Sequence, residues 1–108
     1  MGREPGFRQS PAGTALMVLK WTSKALSDLT RLYAFLLPVN EPAAVKAVRA
    51  LVKAPNSLQA NPRIGEQLFQ FAPSEVRRIL VGQYEMRYEI AGDTIYILRL
   101  WHTRERRE

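Results

Sequence analysis

The chain has 108 residues and a mass of 12.3 kDa, 46% hydrophobic and 24% charged, which are ordinary proportions for one globular domain and exclude a collagen-like or disordered chain. It has no cysteine and a single histidine, so disulfides, thiol chemistry and multi-histidine metal sites are excluded, and a reducing compartment fits. Sixteen basic residues against ten acidic give a net charge of +6, which suits an acidic partner: nucleic acid, a nucleic-acid enzyme or an acidic peptide.

Residues 1–16 contain Pro5, Pro11, Gly2, Gly6 and Gly13 and no usable periodicity. They lack the apolar stretch of a signal peptide. They read as a disordered tail ahead of a domain over 17–108, and Met17 offers an alternative start. No apolar run approaches the roughly 20 residues that a membrane span needs.

Val18 to Trp21 is a short apolar run that predicts a first strand. Ser23 is a candidate N-cap, since its hydroxyl can accept an orphan backbone N–H. Leu26, Leu29, Tyr33 and Leu36 then recur at helical spacing and predict a helix over 23–37. Asp28 sits near its start, where the helix dipole favours negative charge. Pro38 ends it. Asn40-Glu41-Pro42 starts a second helix over 42–54, with Val45, Val48, Leu51 and Val52 as its apolar stripe. Pro55 should stop or kink that helix at Ala54, and Leu58 falls in a last irregular turn.

After Pro73 the period changes from 3.6 to 2. Strands are predicted over 76–81, 84–90 and 94–101, joined at Gly82-Gln83 and Ala91-Gly92-Asp93. In the middle strand Tyr84, Met86 and Tyr88 should be buried, and Glu85, Arg87 and Glu89 exposed. The order strand, two helices, three meandering strands defines a small α+β domain.

His102 lies at the end of the last strand. It suits a general acid or base, or a histidine that fixes the strand end by hydrogen bonding; with no second histidine nearby, the latter is favoured. Arg77, Arg78, Arg87, Arg99, Arg104, Arg106 and Arg107 lie in the sheet region or its tail. Their guanidinium forks suit phosphates and carboxylates, but a solvated sheet face accounts for most of them. Arg77 and Arg78 point to opposite faces. Tyr84, Tyr88, Trp21 and Trp101 read as packing residues. There is no glycine-rich phosphate loop and no Ser/His/Asp arrangement. No metal site and no cofactor are expected.

Trp21-Thr22-x2-Ala25-x2-Asp28-Leu29, Leu58-x3-Pro62-x2-Gly65, Arg77-x6-Tyr84-x3-Tyr88 and Ile97-Leu98-Arg99-Leu100-Trp101-His102-x-Arg104 follow one another in order. Together they resemble the RelE/ParE toxin superfamily of type II toxin–antitoxin modules, the ParE branch in particular, over about residues 17–107. Pro55 and the 16-residue leader depart from the family pattern. The resemblance implies a β-α-α-β-β-β domain with a mainly antiparallel sheet packed by a helical hairpin. It implies a cytoplasmic protein neutralised by a cognate antitoxin, with operator DNA reached only through that antitoxin.

The superfamily divides by mechanism, into RelE-like ribosome-dependent mRNA endonucleases and ParE-like inhibitors of DNA gyrase. RNA cleavage needs a base, an acid and cations around the phosphate. RelE-like sheets carry an arginine after the strand-opening tyrosine, where this chain has Glu85. They carry lysines between helices and sheet, where this chain has only Arg63. The ParE-like reading is therefore preferred. A nuclease would have to rely on His102, Arg104 and Arg77, and a degenerate toxin that still binds antitoxin is a third reading. Target contact is expected at Arg99, His102, Arg104, Arg106 and Arg107, the basic end outside the predicted core. Antitoxin contact is expected on one edge of the first helix, at Leu29, Leu32 and Leu36.

Overall fold

The computed structural model describes residues 16–105. A short strand, β1 (Val18–Trp21), leads into helix α1 (Ser23–Leu36), and α2 (Glu41–Lys53) returns alongside it. A one-and-a-half-turn helix, α3 (Pro55–Ala60), follows. A 3₁₀ turn (Pro62–Ile64), the two-residue strand β2 (Glu66–Gln67) and a second 3₁₀ turn (Phe69–Phe71) lead to β3 (Glu75–Val81), β4 (Tyr84–Ala91) and β5 (Thr94–His102). The sheet order is β1-β5-β4-β3-β2. Only the β1–β5 pair is parallel. The expected α+β architecture is present, with β2 and α3 added to it. The tail expected over residues 1–16 lies outside the described residues except for the exposed Leu16. Among the described residues no helix is long and apolar enough to cross a membrane.

The helix ends follow from local chemistry. Thr22, one residue before the expected Ser23, caps α1: its hydroxyl accepts from the Ala25 N–H at 3.1 Å and donates to the Ile97 carbonyl at 2.7 Å. Thr22 takes the position because it alone serves both the helix end and the β5 edge. The Asn40 side chain accepts from the Ala43 N–H at 3.0 Å and caps α2. Pro55 breaks the helix as expected, but the chain resumes as α3 with Pro55 in its first turn, where a missing N–H costs nothing. Leu58 is thereby a helical residue, fully buried, rather than part of an irregular turn.

Ala25, Leu32, Leu51 and Leu58 from the helices meet Met86, Tyr88, Ile95, Ile97 and Leu100 from the sheet in one core. Ile97 and Leu100 share that core although they are three residues apart, the wrong parity for a regular strand. The β4–β5 register explains it: Arg87 faces Arg99 and Tyr88 faces Ile97, so Leu98 is an extra, bulged residue that flips the alternation. Both hairpins turn at a glycine with positive φ, Gly82 (61°) and Gly92 (62°), a conformation that costs other residues steric strain.

The far face of the sheet corrects one expectation. Met86 and Tyr88 are buried and Tyr84 half-buried, as the alternation predicts. Glu85, however, is only 2% exposed, and Arg87 and Glu89 are half-buried. The face away from the helices is itself covered. Trp101 and Val76 are buried on it, the Arg87 guanidinium lies 4.9 Å from the Phe71 ring and 4.6 Å from the Trp101 ring, and Arg78 donates to the Glu85 carboxylate at 3.1 Å. Alternation alone shows which residues share a face, not whether a loop folds over it.

The segment between helices and sheet is held by Tyr88. Its hydroxyl donates to the Pro62 carbonyl at 2.6 Å and accepts from the Gly65 N–H at 3.1 Å. A Cβ on Gly65 would sit 2.6 Å from both the Arg78 carbonyl oxygen and the Tyr88 hydroxyl, so no side chain fits. Tyr88→Phe would leave a buried N–H without its acceptor and should lower unfolding free energy by about 1–3 kcal/mol. Gly65→Ala should cost about as much through overpacking. Urea unfolding of the two variants against the parent protein measures both.

Candidate functional site

β1 covers only Thr94 to Ile97 of β5. Beyond that point the outer edge of β5 meets α1, and buried backbone groups there need partners. Asp28, 5% exposed, supplies one: its Oδ2 accepts from the Leu100 N–H at 2.9 Å and from Arg99 Nε at 2.8 Å. Its Oδ1 accepts from Arg99 and Arg31, each at 3.2 Å. Arg31 also donates to the Leu100 carbonyl at 3.0 Å. Burial pushes the Asp28 carboxyl up, but hydrogen bonds from Arg99, the Leu100 amide and Arg31 outweigh it and hold it below the usual carboxylate value. Arg99 was expected outside the core. Instead it is half-buried, engaged by Asp28, and its guanidinium lies 4.9 Å from the Trp101 ring.

One turn further, His102 ends β5. Its ring stands edge-on to Tyr84 with centroids 5.2 Å apart. Nδ1 accepts from the Arg104 N–H at 3.1 Å, which assigns the proton to Nε2, 3.2 Å from Gln83 Oε1. The Glu105 carboxylate accepts from the His102 N–H at 2.8 Å and pairs with Arg31. Nδ1 thus shapes the turn that presents Arg104, which is exposed, and Nε2 ties the strand end to the β3–β4 turn at Gln83. Phe35, His102, Arg104 and Glu105 line a cavity of about 270 Å³ beside it. Arg106 and Arg107 lie outside the described residues.

Arg77 is elsewhere. It donates to Glu75 at 2.8 Å and to the Gly65 carbonyl at 2.7 Å, and Arg63 pairs with the same Glu75 at 2.8 Å. Hydrogen bonds from Arg63 and Arg77 hold the Glu75 carboxyl below its usual value. Arg77 faces Tyr88 across the β3–β4 ladder, whereas His102 faces Tyr84 across β4–β5. Four residues of strand separate those positions, about 13 Å at 3.3 Å per residue. His102 and Arg104 are therefore neighbours, and Arg77 does not join them. Among the described residues no group of three or more His, Asp or Glu side chains is placed to hold a metal ion.

On α1, Leu32 is turned into the core, and Leu29 and Leu36 are half-buried, with Leu29 packed against it. The apolar surface that the hairpin leaves to solvent comes from Phe35 (70% exposed) and Val39 (82%), with smaller contributions from Leu26 and Val52. The Leu26–Leu29–Tyr33–Leu36 spacing does not mark this surface: Leu32 falls outside it and is buried, whereas Leu26 belongs to it and is exposed. Phe35 falls three residues after buried Leu32 without sharing its burial. In the sequence, Asp28 is legible only as a helix-dipole residue. No local pattern shows that a carboxylate in the second turn of α1 reaches a strand 72 residues later.

A five-stranded sheet with a helical hairpin on one face is the architecture shared with RelE/ParE-type toxins. Residues 19–107 match the family described as ParE toxin of type II toxin–antitoxin system, parDE. A chain from the chromosomal ParDE toxin–antitoxin system of P. aeruginosa is 30% identical, with a TM-score of 0.67 over 81% of this chain and 96% of its own length. A chain of the toxin–antitoxin complex RelBE2 from Mycobacterium tuberculosis is 25% identical, with a TM-score of 0.59 over 81% of this chain and 98% of its own. No curated protein matches the chain significantly. The chain belongs to the ParE toxin family of type II toxin–antitoxin systems.

Asp28 carries a pH signature. Its folded carboxyl titrates below the usual 3.8, so its ionised form stabilises the fold at and above that pH, and the stabilisation is lost as pH falls through the folded value. Asp28→Asn should cost about 3–5 kcal/mol near neutral pH, because it leaves two arginines facing an uncharged group. The difference from the parent should shrink below about pH 4. Chemical unfolding from pH 7 to pH 2.5 measures it; a pH-independent difference would contradict the assignment.

Proposed function

We propose that this chain inhibits DNA gyrase by binding it, with no covalent chemistry and no cofactor of its own, and that a cognate antitoxin neutralises it in the cytoplasm. The observation that carries this reading is the dispersal of the candidate nuclease residues. His102 has its ring nitrogens engaged by the Arg104 amide and Gln83, Arg77 is tied to Glu75 and Gly65, and Arg99 is tied to Asp28. Among the described residues, a phosphate at the end of β5 would meet Arg104 without Arg77 or Arg99 converging on it. The match to the ParE branch supports the same reading.

Target contact is assigned to the end of β5 and the residues after it: Arg104, presented by the His102–Glu105 turn, then Arg106 and Arg107. Arg99 and His102 contribute by holding that end in place. The antitoxin is expected to be acidic and to lay apolar side chains along the hairpin at Leu29 and Leu36, where exposed Phe35 extends the apolar surface. The rim cations speed encounter. Operator DNA is reached through the antitoxin.

A supercoiling assay with purified gyrase, relaxed plasmid and ATP tests the target. The protein should block supercoiling, and replacing Arg104, Arg106 and Arg107 by Ala should weaken the block at least tenfold with folding unchanged. No inhibition at concentrations well above the enzyme would sink the proposal. Coexpression with the neighbouring small open reading frame should give a co-purifying complex that Phe35→Asp weakens. The nuclease alternative draws on the similarity to the RelBE2 chain and on the adjacency of His102 and Arg104. It predicts ribosome-dependent mRNA cuts that His102→Ala abolishes in stable protein.

A further inference from the structure

Charge in the described part is divided unevenly. From Pro62 to Glu105 there are six cations and six carboxylates, and many are matched as arginine forks: Arg63 and Arg77 on Glu75, Arg78 on Glu66 and Glu85, Arg99 on Asp28. From Thr22 to Asn61 there are five cations and two carboxylates. One of those carboxylates, Asp28, is buried beneath Arg31 and Arg99. Lys24, Lys46, Arg49 and Lys53 remain against Glu41. All four cations are exposed, and none is ion-paired with another described residue.

Three of them form a line. Lys46, Arg49 and Lys53 stand at i, i+3 and i+7 of α2, within an arc of about 60° at 3.6 residues per turn. The arc lies opposite the side buried through Ala44 and Leu51. No other side chain falls within it between Lys46 and Lys53; Ala50 lies about 40° to one side. Glu41, five residues before Lys46, marks where the line ends. The hairpin brings the first turn of α1, with Lys24, to the Lys53 end. From Lys46 to Lys53 the helix rises about 10.5 Å, close to the axial length of three phosphates on one strand of a duplex at 3.4 Å each. Beside the line, Pro42, Val45, Lys46 and Arg49 border a shallow depression of about 480 Å³ that also touches Glu41.

We propose that this outward stripe of α2 binds the phosphate backbone of duplex DNA without reading its base sequence. An acidic amphipathic peptide would need apolar anchors among the cations; between Lys46 and Lys53 the arc offers none, Pro42 and Val45 lie only at the end marked by the carboxylate of Glu41, and exposed Val52 lies to one side. A phosphate backbone needs only evenly spaced cations. The surface is separate from the Arg104 end of β5 and requires neither gyrase nor antitoxin, so its failure is distinguishable from failure of the gyrase reading.

Fluorescence anisotropy of the full chain with a dye-labelled 20-base-pair duplex of arbitrary sequence tests it. With three phosphates neutralised, affinity should fall about 40-fold between 50 and 200 mM salt. Replacing Lys46, Arg49 and Lys53 together by Ala should remove most of the binding and its salt dependence. These exposed helix positions tolerate Ala, and circular dichroism checks the fold. Replacing Arg104, Arg106 and Arg107 by Ala removes the same charge and should change affinity less than about threefold. Equal losses in the two triple variants would assign the binding to overall charge and overturn the proposal. So would loss confined to the tail variant, or no binding at 50 mM salt. A glutamate-rich peptide that binds the stripe more tightly than the duplex would reassign it to a protein partner.

Discussion

A carboxylate standing in for a missing strand holds this fold together. β1 stops at Ile97 of its partner, and the buried, outward-turned amide and carbonyl of Leu100 would otherwise face the underside of α1 with nothing to bond. Asp28 and Arg31 take those two groups, and Thr22 takes the Ile97 carbonyl. Burying a carboxylate costs several kcal/mol, and removing one partner of such a pair costs about as much. The same bonds fix how far α1 slides along the sheet. Once α1 is placed, Ala25 and Leu32 land on Ile97 and Leu100, and α2 and α3 follow through their short connections.

A second anchor acts at the opposite end of the sheet. Tyr88 rises from the middle of β4 and ties down Pro62 and Gly65, while Arg77 grips the Gly65 carbonyl and Glu75. Between the two anchors, the face away from the helices is closed by Phe71, Arg87 and Trp101 stacked on one another. Most of the sheet's arginines are thereby committed to the frame. That commitment bears on function more than the total charge does. An arginine held in a bidentate fork is not free to meet a phosphate without breaking the fold, and Arg104 stands outside that constraint.

The elements were legible because each rests on a local cause. Leu26, Leu29, Tyr33 and Leu36 keep helical spacing. Pro42 marks a helix start, Pro55 a helix end, and Gly82 and Gly92 mark turns. What stayed hidden depends on contacts between distant residues. Nothing near Glu85 indicates that Phe71 and Trp101 cover its face, and nothing near Asp28 points to Leu100. The bulge at Leu98 left a trace in the odd spacing of Ile97 and Leu100, but only the pairing partner turns that trace into geometry. The motifs behind the family resemblance now have physical roles: Thr22 and Asp28 complete β5, and Pro62, Gly65, Arg77 and Tyr88 lock the segment after the helices. They are frame residues. That is why they identify the family clearly and say little about the target.

The parallel pairing of β1 with β5 has a consequence for synthesis. Val18 pairs with Thr94, so the earliest strand to be made waits for the last. Closing a loop of that length costs about 4 kcal/mol of chain entropy beyond a constant term, and contacts this remote in sequence slow folding. Leu32, Leu51 and Leu58 have no sheet to rest on until Ile95, Ile97 and Leu100 have been added. A nascent chain therefore carries its helical hairpin incompletely covered until β5 has been made. A partner that recognises apolar helix surface meets it most open before β5 is in place, and a chain that stops short of β5 never acquires the fold at all.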